Sequence, residues 1–214
     1  MVTTAERPKL RGVLHLVAFC VSCVVGVLFV AAAPDSRGFA AAAFAVSASV
    51  MLGTSALYHR VTWSPARRLW MRRADHAAIF LLIAGTYTPV ALVALHGAWR
   101  TTVLSVVWSG AAVATLIKMC WVGAPKWVSA VAGVALGWVG VVALPQLARS
   151  QGIAPIILLA AGGIAYTAGA VVYARRRPDP VPTVFGYHEL FHALTIVALT
   201  CQYVAVALFV VGVD

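Results

Sequence analysis

Long apolar stretches separated by short polar segments make up nearly the whole chain. The stretches run at about 10–33, 38–60, 74–96, 100–122, 126–147, 153–174 and 186–213. Each holds about 20 residues or more, the length that an α-helix needs to cross the ~30 Å hydrocarbon core of a bilayer. They are continuous runs rich in Ala, Val and Leu, whereas the strands of a membrane β-barrel alternate apolar and polar residues. The pattern predicts an all-α membrane protein in which residues 1–214 form one bundle of seven transmembrane helices.

The composition excludes the other broad classes of protein. Of the 214 residues, 62% are hydrophobic and 10% are charged, against roughly 45–50% and 25% in soluble domains. Disordered chains and small disulfide scaffolds need an excess of charge, of Pro and Gly, or of Cys that this sequence does not have. Seven spans with short loops use up the chain, so we expect no separate soluble domain. We expect a multi-pass protein of the cell membrane.

Positive charges divide unevenly between the two ends of the predicted bundle. If successive spans alternate in direction, 13 of the 16 Lys and Arg residues fall at one end and 3 at the other. The 13 are Arg7, Lys9, Arg11, Arg60, Arg67, Arg68, Arg72, Arg73, Lys118, Lys126, Arg175, Arg176 and Arg177. Lys and Arg are enriched in cytoplasmic loops, so the charges predict a cytoplasmic N-terminus and an external C-terminus. The net charge of +10 then reflects topology and contact with anionic headgroups, and no nucleic-acid partner is expected.

Five polar residues from three separate segments fall at the predicted cytoplasmic ends of their helices. They are Ser55, His59, Asp75, His188 and His192. Ser55 and His59 are four residues apart, as are His188 and His192, so each pair shares one helix face. Ionisable groups are costly inside a membrane and usually mark function. The predicted topology places these five side chains at a single membrane depth.

Two histidines one helical turn apart, His188 and His192, provide half of a Zn²⁺ site. His59 from another helix adds a third imidazole, and three imidazoles leave one coordination position open for water, as in catalytic zinc sites. Zinc with neutral ligands activates water near neutral pH, and Asp75 is the carboxylate placed to hold that water and accept its proton. The alternative is that the histidine pair arises by chance and that each imidazole is an interfacial residue. His59 and Asp75 at the same depth favour the metal site.

Other polar residues near this depth are assigned simpler roles. His76 is rotated away from Asp75 on the third span. Glu189 is turned about 100° from His188, where it meets water or a cytoplasmic Arg. His15 lies at the same depth in the first span and is a weaker candidate for contact with the site.

Three motifs around these residues resemble the signatures of the hemolysin III family, the bacterial branch of the progesterone and adipoQ receptors. The motifs are SALYH at 55–59, DHAAIFLLIAGTYTP at 75–89 and HELFH at 188–192. Their order, their spacing and the seven predicted helices match over nearly the whole chain. The resemblance implies a seven-helix bundle with a zinc ion near its cytoplasmic face. By position it implies that the zinc ligands are His59, His188 and His192, with Asp75 holding the zinc-bound water and Ser55 beside it.

The resemblance implies more than one activity. In the related adiponectin receptors and alkaline ceramidases this constellation is associated with hydrolysis of lipid amides. The bacterial members are instead labelled cytolysins or channel-like hemolysins, and some are tied to membrane-lipid homeostasis. A channel needs polar residues along a helix face through the whole bilayer, whereas the strong polar groups here cluster at one end.

We therefore expect a zinc-dependent hydrolase that acts on an amide or ester of a membrane lipid, with Asp75 and Ser55 as its catalytic residues. The alternative is a hemolysin-type, homeostatic or receptor protein whose zinc is structural.

Overall fold

The computed structural model describes residues 8–121 and 123–210, with side chains through Leu208. In this part of the chain the α-helices are α1 Val13–Ala32, α2 Gly38–Arg60, α3 Pro65–Pro89, α4 Gly97–Cys120, α5 Lys126–Gly137, α6 Leu144–Gln151, α7 Ala154–Arg175 and α8 Tyr187–Val210. Short 3₁₀ turns lie at Asp35–Arg37 and Val139–Ala143, and a π-helical turn lies at Val90–Ala94. Three parts of the sequence predictions lie outside the described residues: the charge of Arg7, the end of the fourth span at 122 and the end of the last span at 211–213.

Seven helical segments of the described chain are long and apolar enough to cross a membrane. This confirms the predicted all-α bundle of seven spans. The third span differs most from its expected bounds, because α3 begins at Pro65 rather than near 74. Proline is favoured at the first position of a helix, and the Arg-rich turns that follow continue the helix beyond the apolar stretch on which the sequence-based bounds rest.

The fifth span is two helices, α5 and α6, joined by the 3₁₀ turn. Tyr87 of α3 supports the break from the side. Its hydroxyl donates to the carbonyl of Gly137 at 2.6 Å and accepts the N–H of Gly140 at 2.8 Å. A break inside a membrane leaves backbone groups without helical partners, so a side chain that satisfies them makes the irregular turn tolerable.

The two helices α2 and α3 form the centre of the bundle and are the most buried of the seven spans. They approach closely because α2 presents small residues. A Cβ added to Gly85 of α3 would lie 2.5 Å from the Cβ of Ser47 and 1.9 Å from its Oγ. Small residues at helix interfaces allow such contact in membranes. The other spans surround this pair, and many Val, Leu and Ile side chains are exposed on the outside of the bundle, as contact with lipid requires.

One end of the bundle holds the helix termini that carry the predicted site. By chain order, α1, α3, α5 and α8 begin there, and α2, α4 and α7 end there. The basic residues at these termini lie at the same end, which we call the basic end.

The chain enters the basic end through residues 8–12. The backbone N–H groups of Lys9 and Leu10 donate to carbonyl groups in the loop between α7 and α8, at 3.0 and 3.1 Å. Gly12 then turns the chain into α1 with φ at 77°, a conformation that favours glycine. A Cβ at Gly12 would lie 2.6 Å from the Cβ of His59. The entry to α1 is therefore packed directly against the site.

Candidate metal centre

Three imidazoles meet at the basic end, where the last turn of α2 faces the first turns of α8. One ligand nitrogen from each of His59, His188 and His192 lies within 4.8 Å of the other two. The Nε2 atoms of His59 and His188 are 3.1 Å apart. His59 and His192 are buried and His188 is partly buried. The i, i+4 spacing on α8 places His188 and His192 on one face, and the antiparallel packing of the bundle brings His59 to it.

The three side chains fit a metal ion. Two nitrogens bound to one tetrahedral ion at 2.0–2.1 Å lie about 3.3–3.4 Å from each other, close to the separation of the His59 and His188 Nε2 atoms. Imidazole is a ligand for zinc, copper, iron and nickel. Three such ligands leave at least one coordination position for another molecule. The trio can therefore hold a metal ion in an open site.

A second polar group lies beside the trio and links α1, α2 and α3. The Nδ1 atom of His15 is 2.8 Å from the Oγ of Ser55, and both side chains are buried. The Ser55 hydroxyl is also the side-chain partner of the Asp75 carboxyl. A hydroxyl has one proton, so when Ser55 donates to the Asp75 carboxylate, its oxygen is left to accept a hydrogen bond from Nδ1 of His15.

His15 also contacts the trio directly. Its ring stacks on that of His192 with centroids 3.7 Å apart and an interplanar angle of 9°. From the sequence, His15 was a weaker candidate for contact with the site, because a lone histidine near a helix end is usually interfacial. Its packing shows that the imidazole connects the Ser55 hydroxyl to a candidate metal ligand. The signal available in the sequence was its position in the first span, at the same predicted depth as His59, His188 and His192.

Glu189 holds the start of α8 in position. Its side chain is fully buried, and it forms an ion pair with Arg11 and accepts the N–H of Gly186 at 2.9 Å. A carboxylate at the third helical position that binds the backbone N–H just before the helix is half of a capping box. Of the two contacts expected for Glu189, water or an Arg at this end, the structure shows the pairing with Arg. The pair orients the turn that carries His188.

The structure thus brings the five predicted site residues together at the basic end. His59, His188 and His192 form the trio, and Ser55 links the Asp75 carboxyl to the trio through His15. The catalytic roles assigned to Asp75 and Ser55 stay predictions, as does the identity of the metal.

Comparison with known proteins identifies the family to which this architecture belongs. The family model described as "Haemolysin-III related" matches residues 3–203, which include every residue of the candidate centre. The chain belongs to the haemolysin-III-related family. The resemblance of the three sequence motifs to hemolysin III is thereby confirmed.

Two curated relatives carry the family name. The "Hemolysin-3 homolog" of Bacillus subtilis (strain 168) is 30% identical over 170 residues, which are 79% of this chain and 76% of that protein. The "Hemolysin-3" of Bacillus cereus is 33% identical over 130 residues, which are 61% of this chain and 59% of that protein. Together with the seven apolar spans, family membership makes this chain a multi-pass membrane protein.

Proposed function

We propose that this member of the haemolysin-III-related family is a zinc-dependent hydrolase that cleaves an amide or ester bond of a membrane lipid. The 3.1 Å separation of the His59 and His188 Nε2 atoms, within a trio completed by His192, carries the proposal. A set of three neutral imidazoles with an open position is the donor set of catalytic zinc sites rather than of closed structural ones. The trio lies near the ends of α2 and α8, where we expect the ester and amide groups of lipids to reach it.

The residues around the trio supply the acid–base chemistry. When bound, zinc acts as a Lewis acid and makes water a competent nucleophile near neutral pH. Asp75 accepts the proton of the attacking water on a carboxylate oxygen and then delivers it to the departing amine or alkoxide. Ser55 holds the carboxyl in position, and the stacked ring of His15 holds Ser55. These three side chains come from three helices, so their alignment depends on the packed bundle.

The names of the relatives favour a second candidate function. Both are called hemolysin-3 proteins, and a cytolytic or homeostatic protein needs no turnover of lipid. In that case the zinc is structural, and Asp75 closes the site as a fourth ligand. The two functions therefore differ in what Asp75 contacts when the metal is bound.

Substitution of Asp75 separates the two functions. Asparagine has nearly the same shape as aspartate but cannot accept the proton. We expect Asp75→Asn to retain about one zinc per chain and to lose at least about 100-fold in hydrolysis, the lower end of a typical acid–base contribution. The measurements are zinc content by elemental analysis and fatty-acid release from a panel of lipid amides and esters.

Two further variants complete the experiment. Asp35→Asn, at an exposed aspartate of the opposite end, should match the wild type in both measurements. The double variant His188→Ala/His192→Ala should lose the metal, because one imidazole cannot hold it. Loss of zinc in Asp75→Asn would show that Asp75 is a ligand and would favour structural zinc. A wild type that holds zinc but hydrolyses no lipid of the panel would reject the hydrolase.

A further inference from the structure

Four basic residues lie on α3, α4 and α5, three helices that pack against one another. Arg72 and His76 lie one helical turn apart on α3, Lys118 lies in the last turn of α4, and Lys126 begins α5. The charges of Arg72, Lys118 and Lys126 all act on the imidazole of His76. We call these four residues the cationic cluster.

The cationic cluster has no acidic partner among the described residues. In the ranges 8–121 and 123–210, the ion pair that forms joins Arg11 to Glu189, and no member of the cluster takes part in one. Asp75 is next to His76 in sequence, but its side-chain partner is Ser55. In the described part of the chain, the positive charges of Arg72, Lys118 and Lys126 are therefore not neutralised by a carboxylate.

Burial makes this arrangement costly. The Lys118 residue is only 2% exposed, and in the described part of the chain it has no acidic partner. The Nδ1 atom of His76 and the Nε atom of the adjacent Arg73 are buried and have no hydrogen-bond partner there. A buried charge or an unsatisfied buried polar atom is costly unless it is paired. The unpartnered buried atoms of Arg73 and His76 on α3, together with the poorly exposed Lys118 of α4, indicate that an anion completes the cluster.

Lys126 connects the cationic cluster to the metal centre. Its Nζ donates to the hydroxyl of Tyr187 at 2.7 Å and lies 4.5 Å from the ring centroid of Tyr173. The Tyr173 ring is in turn 5.7 Å from that of His188. One layer of aromatic rings therefore separates the two sites, and an anion in the cluster would lie next to α8 without reaching the three imidazoles.

We propose that the cationic cluster binds the headgroup phosphate of an anionic membrane lipid. Phosphate has several acceptor oxygens and pairs strongly with Arg and Lys donors. Basic pockets between membrane-spanning helices are a known mode of headgroup binding. The cluster lies near the ends of its spans, where we expect the phosphate of a bilayer lipid to reach it. The site is distinct from the metal centre, so it holds whether or not zinc is catalytic.

Lipid binding by delipidated protein in a neutral detergent tests the proposal. The probes are phosphatidylglycerol, a diacylglycerol with the same acyl chains, and sodium phosphate, each titrated and followed by native mass spectrometry. We expect phosphatidylglycerol to bind at least about tenfold more tightly than diacylglycerol. Lys118→Met keeps the aliphatic stem and removes the charge, so it should weaken phosphatidylglycerol binding about fivefold, the effect of roughly one charge contact.

Arg67→Gln is the matched control, because Arg67 is an exposed basic residue on α3 at the same end. It should change the affinity less than about twofold, since the headgroup contacts the buried cluster and not the surface. If Lys118→Met does not elute as a single folded species, Lys126→Met removes another charge of the cluster and makes the same test.

Three results would overturn the proposal. Equal binding of phosphatidylglycerol and diacylglycerol would show that the phosphate is not recognised. An equal loss in Arg67→Gln and Lys118→Met would show that binding reflects the overall positive charge of this end. Saturation by sodium phosphate, with the same dependence on Lys118 and no binding of the lipid, would assign the site to free phosphate.

Discussion

At the scale of single residues, His15 contributes to the site through two different parts of its ring. The edge places Nδ1 2.8 Å from the Ser55 hydroxyl, and the face stacks on His192. Hydrogen bonding and stacking depend on different chemical features, so substitutions can remove one and keep the other. This separation distinguishes a side chain that positions Ser55 from one that only fills space.

We predict that His15→Phe lowers hydrolysis by about 10- to 100-fold while the protein keeps its zinc. Phenylalanine retains the stack on His192 but cannot hydrogen-bond to Ser55, and losses of this size are typical of residues that orient a metal site from outside its ligands. His15→Asn should restore part of the activity, because its amide nitrogen can replace Nδ1. The measurements are kcat/KM for fatty-acid release and zinc content. His96→Phe, at an exposed histidine of the opposite end, is the control, and equal activity in the Phe and Asn variants would contradict the positioning role.

At the scale of helices, the site depends on how closely α2 and α3 pack, because α2 carries Ser55 and His59 and α3 carries Asp75. The contact between Gly85 and Ser47 sets their separation midway along the spans. Ser47 cannot move away easily, since it is buried and its hydroxyl donates to the carbonyl of Phe44 at 2.8 Å. A side chain at position 85 therefore has to push the two helices apart.

We predict that Gly85→Ala lowers the free energy of unfolding by about 1–3 kcal/mol, the usual cost of overpacking. Gly133→Ala is the matched control, because a Cβ added in the middle of α5 meets nothing within 4 Å. It should be neutral or stabilising by up to about 1 kcal/mol, since alanine is the better helix former. Unfolding in detergent, followed by circular dichroism, measures both. Equal stability of the two variants would mean that α2 and α3 can separate enough to accommodate the added methyl group without cost.

The fifth span and Lys118 show where the observed packing differs from what the sequence pattern predicts. The apolar pattern predicted the fifth span as one continuous stretch, but Tyr87 of α3 supports a 3₁₀ break inside it. The charge pattern placed Lys118 among the basic residues at one end of the bundle, and the structure buries it in the last turn of α4. The Tyr87 contacts come from a neighbouring helix, and such contacts leave no trace in the local sequence.

At the scale of the whole molecule, the distribution of charge predicts orientation in the membrane. The basic end holds the metal centre and the cationic cluster, so its location decides which compartment and which leaflet they face. The 13 to 3 division of Lys and Arg predicts that this end is cytoplasmic. The candidate metal centre and the cationic cluster would then lie on the cytoplasmic side, at the level of the cytoplasmic leaflet.

We predict that a cysteine at Arg68 resists an impermeant thiol reagent in intact cells and reacts once the membrane is permeabilised. A cysteine at Ser36, in the turn between α1 and α2, should react in intact cells, because that turn lies at the opposite end. The four native cysteines are replaced by Ala in the parent protein, which serves as the unlabelled control. Labelling with the two positions exchanged would reverse the topology and place the metal centre outside.

The sequence alone determined the number of spans and the depth of the polar residues. In a bilayer each segment must satisfy its own backbone hydrogen bonds, so apolar runs of sufficient length become helices, and alternation assigns each helix end to one side. The tertiary structure decided which faces of those helices meet. The rotation of a helix about its axis depends on side-chain packing against several neighbours at once. A helix that is apolar on all its faces gives little indication of this rotation in its sequence. For this reason the depth of His15 and Lys118 was predictable, but the contact of His15 with Ser55 and the burial of Lys118 were not.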